Sequence, residues 1–533
     1  MKRTRSLLLV PALLSCSMAI GTASAQTSAP RARNPILWAD VPDPSVIRVD
    51  SVYYLTSTTM HMNPGVPIMR STNLVDWKTI GYAYGQMANA DAMSMRNGQN
   101  AYGRGSWASS LRYHAGTFYV VTFSYTTGET YVFTTADIEK GPWRRASLSG
   151  LYHDQSLLFD DDGRVYLVYG AGDIRIIELT EDARAVKPGG VERVLIRNAG
   201  GIAGTSFNVP GEGSHIHKID GRYYLFLIVW PRGGMRTELV YRADSLAGPW
   251  EGRIALADEG IAQGGLVDTP EGDWYALLFG DRGAVGRIPY LVPVTWADGW
   301  PVLGVDGEVP DTLDIQTDGT GVRGIVASDE FEGDDLSLAW QWNHNPANQL
   351  WSLAKRPGHL RLTTGRTDAS LVDARNTLTQ RSFGPESVAS TALDVTGMKD
   401  GDVAGLGLLA EHWGFVGVKK EDGAAAIVMV NANQGEVARV PLDRAVVHLR
   451  TEADFRNQTD RAVFSYSLDG VRWLPIGDTL RMRYTLGHFM GYRFALFTYA
   501  TRTPGGWADF DYLRLGRSAA PTGAEGSSRR RDR

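Results

Sequence analysis

The sequence predicts an all-β protein, a five-bladed β-propeller followed by a β-sandwich of the jelly-roll kind. Three observations carry this. The 533 residues include 60 Gly, 15 Trp, 22 Tyr and 16 Phe, a balance of turn formers and aromatics that suits short strands rather than helices. One motif (an alternating apolar run, a polar turn, an aromatic strand) recurs five times in the first half. The second half keeps the strand-and-turn texture without that period. The length calls for more than one domain, and a formal charge of −5 argues against a nucleic-acid surface, which would be basic. With Cys16 as the single cysteine, neither a disulfide framework nor a thiolate metal cluster is available.

Residues 1–25 read as a signal peptide. Lys2, Arg3 and Arg5 form a basic start, Leu7 to Ile20 is mostly apolar, and Ala23-Ser24-Ala25 offers a small-x-small cleavage site. The run is short for a bilayer span, and no later segment is apolar enough to cross one. The expectation is an exported protein, periplasmic or extracellular. Cys16 after Leu13-Leu14-Ser15 loosely resembles a lipoprotein box, so a lipid anchor stays open beside soluble export.

The propeller is expected over 26–304. Its repeat is anchored by Tyr54, Tyr119, Tyr166, Tyr224 and Tyr275, spaced by 65, 47, 58 and 51 residues. Four copies place Gly three residues before the anchor, at Gly116, Gly163, Gly221 and Gly272, where a tight hairpin needs positive φ. Trp77, Trp143 and Trp250 follow their anchors by 23, 24 and 26 residues. Each unit therefore has room for four short strands, and five such units around an axis make a propeller.

Counting back twelve residues from four anchors, and eleven from Tyr54, gives Trp107, Asp154, Glu212, Gln263 and Asp43. Two residues further on, each copy has a small residue: Ser109, Ser156, Ser214, Gly265 and Ser45. The first strand of each blade lines the channel, so equivalent positions on first strands meet at one level. Three carboxylates and an indole then converge. Bringing carboxylates together costs free energy through repulsion and desolvation and raises at least one pKa, which points to use: either acid–base chemistry or a bound metal ion. Two carboxylates flanking one bond are what glycoside hydrolysis requires, and Trp107 could stack on the apolar face of a sugar ring.

Several tracts now resemble glycoside hydrolase family 43: Asn34-Pro35-Ile36-Leu37 leading to Pro42-Asp43-Pro44-Ser45, then Asp154-Gln155-Ser156-Leu157, then Glu212-Gly213-Ser214-His215, and the stretch from Gln263 to Trp300 with Gly286-Arg287-Ile288-Pro289-Tyr290. The resemblance covers about 34–305. It implies a five-bladed propeller acting as a β-D-xylosidase, with α-L-arabinofuranosidase or arabinanase as the alternative within the family, on xylo- or arabino-oligosaccharides of plant hemicellulose. It implies an inverting mechanism in which Asp43 is the general base, Glu212 the general acid, and Asp154 the third carboxylate that tunes the acid and orients the substrate. Arg287 matches the arginine that reaches the sugar hydroxyls, and Gln263 adds a further substrate contact. An inverting pair sits roughly 6.5–9.5 Å apart to admit water. No cofactor is required for that chemistry. Many family members carry His where Gln263 stands, near a central calcium, so that metal site is in doubt here. His215 and His217 read as packing residues, and Asp160, Asp161 and Asp162 as turn residues. A non-catalytic sugar-binding propeller is the reading from another class. A fructosidase-type propeller is disfavoured because its Arg-Asp-Pro segment and Glu-Cys pair are lacking.

Residues 305–327 read as a linker and 328–516 as the sandwich. Asp329-Glu330-Phe331, Trp340-Gln341-Trp342-Asn343-His344-Asn345-Pro346 and Ala508-Asp509-Phe510-Asp511-Tyr512-Leu513 resemble the accessory domain of two-domain family members. That resemblance implies a structural Ca2+ with Asp509 as a ligand, carboxylates and carbonyls being suited to this ion, and a domain that either binds polysaccharide or lends a loop to the active-site rim, the latter enforcing exo action. Ser465-Tyr466-Ser467-Leu468-Asp469-Gly470-Val471-Arg472-Trp473 resembles a sialidase Asp box, a hairpin staple without chemistry. Residues 517–533, with Arg529-Arg530-Arg531, are expected to be disordered.

Overall fold

The computed structural model describes residues 30–517. The leader read over 1–25 lies outside the described residues, as does the tail read over 517–533 apart from Arg517.

Five four-stranded antiparallel sheets follow one another in sequence, as the five repeats require. Their first strands are Ser45–Val49, Ser106–His114, Ser156–Phe159, Phe207–Ile219 and Ala262–Asp268. Each first strand packs beside the next, and the fifth returns to the first, closing a ring around the channel. All five Tyr anchors fall on the second strand of their blade. The hairpins between first and second strands turn at glycines such as Gly163 and Gly221, with φ of 81° and 77°. A Cβ there would meet nothing within 4 Å, so it is backbone conformation, not crowding, that demands glycine.

The ring is closed by the segment before blade 1. The Asn34 side chain donates to the Leu291 and Pro310 carbonyls at 2.8 and 2.9 Å and accepts the Leu291 N–H at 2.9 Å. Val41 N–H donates to the Arg287 carbonyl at 2.9 Å. The stretch read as a linker, 305–327, is part of this closure: its strand Thr312–Gln316 pairs with Arg31–Arg33. The polar, Gly-rich composition that suggested a linker reflects an exposed strap fastened to the propeller.

The second unit is a sandwich of two antiparallel sheets. Its larger interior side chains, among them Phe415, Phe494, Phe497 and Phe510, are fully buried. The propeller contributes to one sheet directly, because Met62–Asn63 from blade 1 pairs with Gln341–Asn343. One apolar core runs from Leu37 and Val285 of the propeller through Trp342 and Tyr492 of the sandwich. The Asp-box tract forms its expected hairpin staple. Asp469 accepts the Val471 and Arg472 N–H groups at 2.9 and 2.8 Å and the Ser467 hydroxyl at 2.9 Å.

The sandwich corrects one expectation. Asp509 is 3% exposed; Arg361 grips both its oxygens at 2.7 Å, and Arg356 adds a third contact at 3.2 Å. Two guanidiniums occupy the positions that calcium would need, so Asp509 is a structural ion-pair residue and not a metal ligand.

Candidate active site

Four of the five counted positions sit where a first strand begins, Glu212 lies within its longer strand Phe207–Ile219, and the backbone is kinked at or beside four of the five. Asp43, Asp154 and Gln263 have φ of 50°, 47° and 59°, and Gly213, next to Glu212, has φ of 70°. Strand pairing slips between Ser106 and Ser109, Glu212 and His215, and Ala262 and Gly265. A non-glycine residue held in the left-handed region costs about 1–3 kcal/mol, and a bulge re-aims the side chain at its kink. Ladder pairing resumes at Ser45, Ser109, Ser156 and Gly265. In four of the five blades the small residue two positions on thus marks the end of the kink; in the fourth, pairing resumes at His215.

Asp43 is buried and held on both oxygens. Thr58 Oγ1 donates to Oδ2 at 2.5 Å, and Arg287 Nη1 donates to Oδ1 at 2.7 Å. Arg287 is itself buried, with its Cζ 4.7 Å from the ring centre of Phe489 and 5.3 Å from that of Phe279. Its Nε and Nη2 are buried and have no hydrogen-bond partner among the described residues. Asp40 fixes its backbone: one carboxylate oxygen accepts the Arg287 N–H at 2.8 Å and the other accepts the Gly491 N–H at 3.0 Å. That carboxylate joins the propeller site to a sandwich loop.

Across the channel, Asp154 and Glu212 meet through a residue that the repeat count did not reach. His153 Nε2 lies 3.1 Å from Glu212 Oε2 and 3.7 Å from Asp154 Oδ2, and its Nδ1 is 2.9 Å from the Tyr125 hydroxyl. Burial pushes Asp154 up to about 7; His153 opposes this, and Glu212 and Asp43 reinforce it. Burial alone would discourage a charge on His153, but Asp154, Glu212 and Asp43 outweigh it and carry the imidazole up to about 9. The donor atoms of His153, Asp154 and Glu212 all lie within 4.8 Å of one another. This trio could close on a cation, but doing so would use the same carboxylates that the chemistry needs.

Trp107 forms one wall. It lies 4.9 Å from Phe489 and meets Tyr125 edge-on at 5.4 Å. Gln263 lies in the ring with its side chain across Gly213, whose Cβ position is 2.8 Å from the Gln263 amide carbon. Its backbone N–H donates to the fully buried Glu238 at 2.6 Å. Burial drives Glu238 well above the usual carboxylate range. His215 and His217 both lie against Gly265.

Four residues of the site escaped sequence reasoning. Thr58 and Tyr125 lie outside the counted register. His153 was visible beside Asp154 but carried no repeat signal. Phe489 comes from the sandwich, some 200 residues beyond the last blade, and holds φ of 53°, which no local pattern announces.

The chain was compared with known proteins. Residues 32–301 match the model for "Glycosyl hydrolases family 43", and residues 328–515 match "Beta xylosidase C-terminal Concanavalin A-like domain". A beta-xylosidase of Formosa agariphila is 29% identical over 90% of this chain and 89% of its own. A non-reducing end alpha-L-arabinofuranosidase of Bacteroides ovatus is 32% identical over 71% of this chain and 74% of its own. Among solved structures, a bifunctional GH43-CE protein of Bacteroides eggerthii superposes with a TM-score of 0.91 at 55% identity. It covers 92% of this chain, which spans only 64% of that protein's length.

Proposed function

The chain belongs to glycosyl hydrolase family 43, and on that premise we propose that it is an exported, exo-acting, inverting β-D-xylosidase. Asp43 serves as the general base. Thr58 and Arg287 engage both its oxygens, which fixes its direction. Glu212 serves as the general acid that protonates the departing oxygen. Asp154, buried beside it and linked to it through His153, orients the sugar. Arg287 presents its unpartnered nitrogens to the sugar hydroxyls. Trp107 packs on the ring, and Gln263 adds an amide from the fifth blade. The chemistry asks for no cofactor, and the substrate is a xylo- or arabino-oligosaccharide.

The observation that carries the exo reading is Phe489. It lies against both Trp107 and Arg287, on a sandwich loop fastened to Asp40 through Gly491. An aromatic ring held there narrows the channel to a blind pocket for a terminal sugar. The similarity to the Bacteroides ovatus alpha-L-arabinofuranosidase favours arabinofuranoside as a second substrate, since terminal arabinofuranose and xylopyranose offer comparable hydroxyl patterns. Export rests on the leader-like residues 1–25.

The test is hydrolysis of aryl β-D-xylopyranoside and aryl α-L-arabinofuranoside beside polymeric xylan and arabinan, with the first-formed anomer read by NMR. The expected result is α-xylose released from chain ends, with the xyloside turned over faster. Retention of the β-anomer, or internal cleavage of polymer as the main activity, would reject the reading.

A further inference from the structure

The channel has a second mouth, at the far ends of the same five first strands, where three cations meet the carboxylates of Asp161 and Asp268. A cavity of about 450 Å3 opens there, lined by Arg48, Arg112, His114, Phe159, His217 and Lys218 among others. That volume falls within the roughly 300–1,000 Å3 of small-molecule sites.

The cations of this mouth differ in one respect. Arg48 is bound to the Asp268 carboxylate, and Lys218 to Asp160 and Asp161 at 2.6 and 2.9 Å. Arg112 has no carboxylate partner among the described residues. Its Nε donates to the Leu157 carbonyl at 2.8 Å, one Nη1 hydrogen to the Leu111 carbonyl at 2.8 Å, and Nη2 to Ser156 Oγ and the Ile216 carbonyl at 2.9 and 3.0 Å. These oxygens are neutral, so they satisfy four donors without balancing the charge, and one Nη1 hydrogen is left over. Burial without a counter-charge pushes this guanidinium down to about 10, and a buried cation in that state is costly.

A second donor stands beside it. His217 Nε2 accepts the Leu266 N–H at 3.1 Å, so the neutral ring carries its proton on Nδ1. That proton has no acceptor among the described residues. His114 and Phe159 stack face to face at 4.3 Å and supply a flat wall, while Tyr113 is 44% exposed nearby. A cation without a counter-charge, a spare imidazole N–H and an aromatic face in one cavity make up a receptor for a molecule with one negative charge and a ring-sized body.

We propose that the distal mouth of the propeller channel is a second ligand site, which takes a small carboxylate, free or carried on a sugar acid, on Arg112 and His217. The site is separate from the catalytic carboxylates and uses none of the residues assigned to hydrolysis.

Isothermal titration of the full chain with sodium glucuronate, sodium acetate and neutral xylose, repeated on Arg112→Gln, tests this. Glucuronate is expected to bind one equivalent, with at least tenfold loss of affinity in Arg112→Gln and unchanged turnover of aryl xyloside. Glucuronate binding at least tenfold tighter than acetate identifies a sugar acid, and equal binding identifies a free carboxylate; both outcomes support the site. Equal affinity of wild type and Arg112→Gln for glucuronate overturns it, as does Arg112-dependent binding of xylose as tight as that of glucuronate. Should Arg112→Gln fail to fold, wild-type crystals soaked in glucuronate decide: density for the carboxylate against Arg112 supports the site, and its absence there overturns it.

Discussion

The propeller and the sandwich contribute to one active site in unlike ways. The propeller supplies five positions that are equivalent by repeat, and three of them are carboxylates. The sandwich supplies the ring of Phe489, backed by Tyr484 on the same loop. The contrast separates two ways of building function. Chemistry comes from repetition, because kinks at corresponding places on neighbouring strands aim side chains at one axis. Selectivity comes from an asymmetric addition that limits what can enter. If that division is right, substitutions in the propeller ring should abolish turnover, and substitutions in the sandwich should change stability or product pattern.

The largest effect is expected in the ring. Glu212→Ala and Asp43→Ala should each lower kcat by about 10²–10⁴-fold, the range for removing a general acid or base, with circular dichroism unchanged. The two should differ in leaving-group dependence. Glu212→Ala should retain more activity on nitrophenyl xyloside than on xylobiose, because a good leaving group needs less protonation, whereas Asp43→Ala should lose both alike. Near-wild-type turnover by either variant would break the comparison at its base.

The next effect lies wholly in the sandwich. Asp509→Ala strands Arg361, which it grips on both oxygens, while Arg356 keeps Asp394; breaking a buried pair by removing one partner costs about 3–5 kcal/mol, and the low end of that range is expected here because Arg361 is partly exposed. Urea denaturation should show that loss, while kcat per folded molecule stays near wild type. Chelator should not change the wild-type midpoint through this residue, because arginines hold its carboxylate. A chelator-sensitive midpoint that Asp509→Ala abolishes would restore the calcium expectation.

Phe489→Ala probes where the two regions meet. Aromatic contacts of this kind are worth roughly 0.5–1.5 kcal/mol, so kcat/KM on aryl xyloside should fall by up to about tenfold. The sharper readout is the product pattern on xylan, which should gain oligomers longer than one sugar once the channel is widened. Release of xylose alone, as in the wild type, would place the exo restriction elsewhere.

The same contrast explains what was legible in the sequence. Asp43, Asp154, Glu212, Trp107 and Gln263 could be found by counting back from tyrosines, because a repeat turns spatial equivalence into sequence spacing. The sandwich could be recognised as strands and turns, but nothing local says that a loop near residue 489 reaches 200 or more residues back to Arg287. The strap at Thr312–Gln316 was hidden for a related reason. Its pairing partner, Arg31–Arg33, lies at the other end of the propeller, and an exposed two-stranded sheet has the polar composition of a linker. Asp509 misled because a buried acid near a terminal strand suits a metal as well as an ion pair, and only the approach of Arg356 and Arg361 separates the two.

The smallest effect tests whether the ring is complete without its unrepeated member, His153. Its imidazole holds a proton up to about 9, against an ordinary value of 6.5. A raised folded-state value means that its contribution to stability is full below about 6.5 and is lost as pH rises through about 9. Asp154, raised to about 7 from 3.8, follows the same sign: what it contributes is present below about 3.8 and lost as pH rises through about 7. Both groups therefore make the fold less stable on the alkaline side. His153→Gln removes the cation that lowers Asp154, so Asp154 should hold its proton more firmly. The acid limb of the kcat/KM profile should then move to higher pH by up to about one unit, with little change at the optimum. Loss of the Tyr125 and Glu212 contacts alone would lower the rate at every pH without moving the limb. A displaced limb would show that the repeated carboxylates work at a charge balance set by a residue that the repeat does not contain.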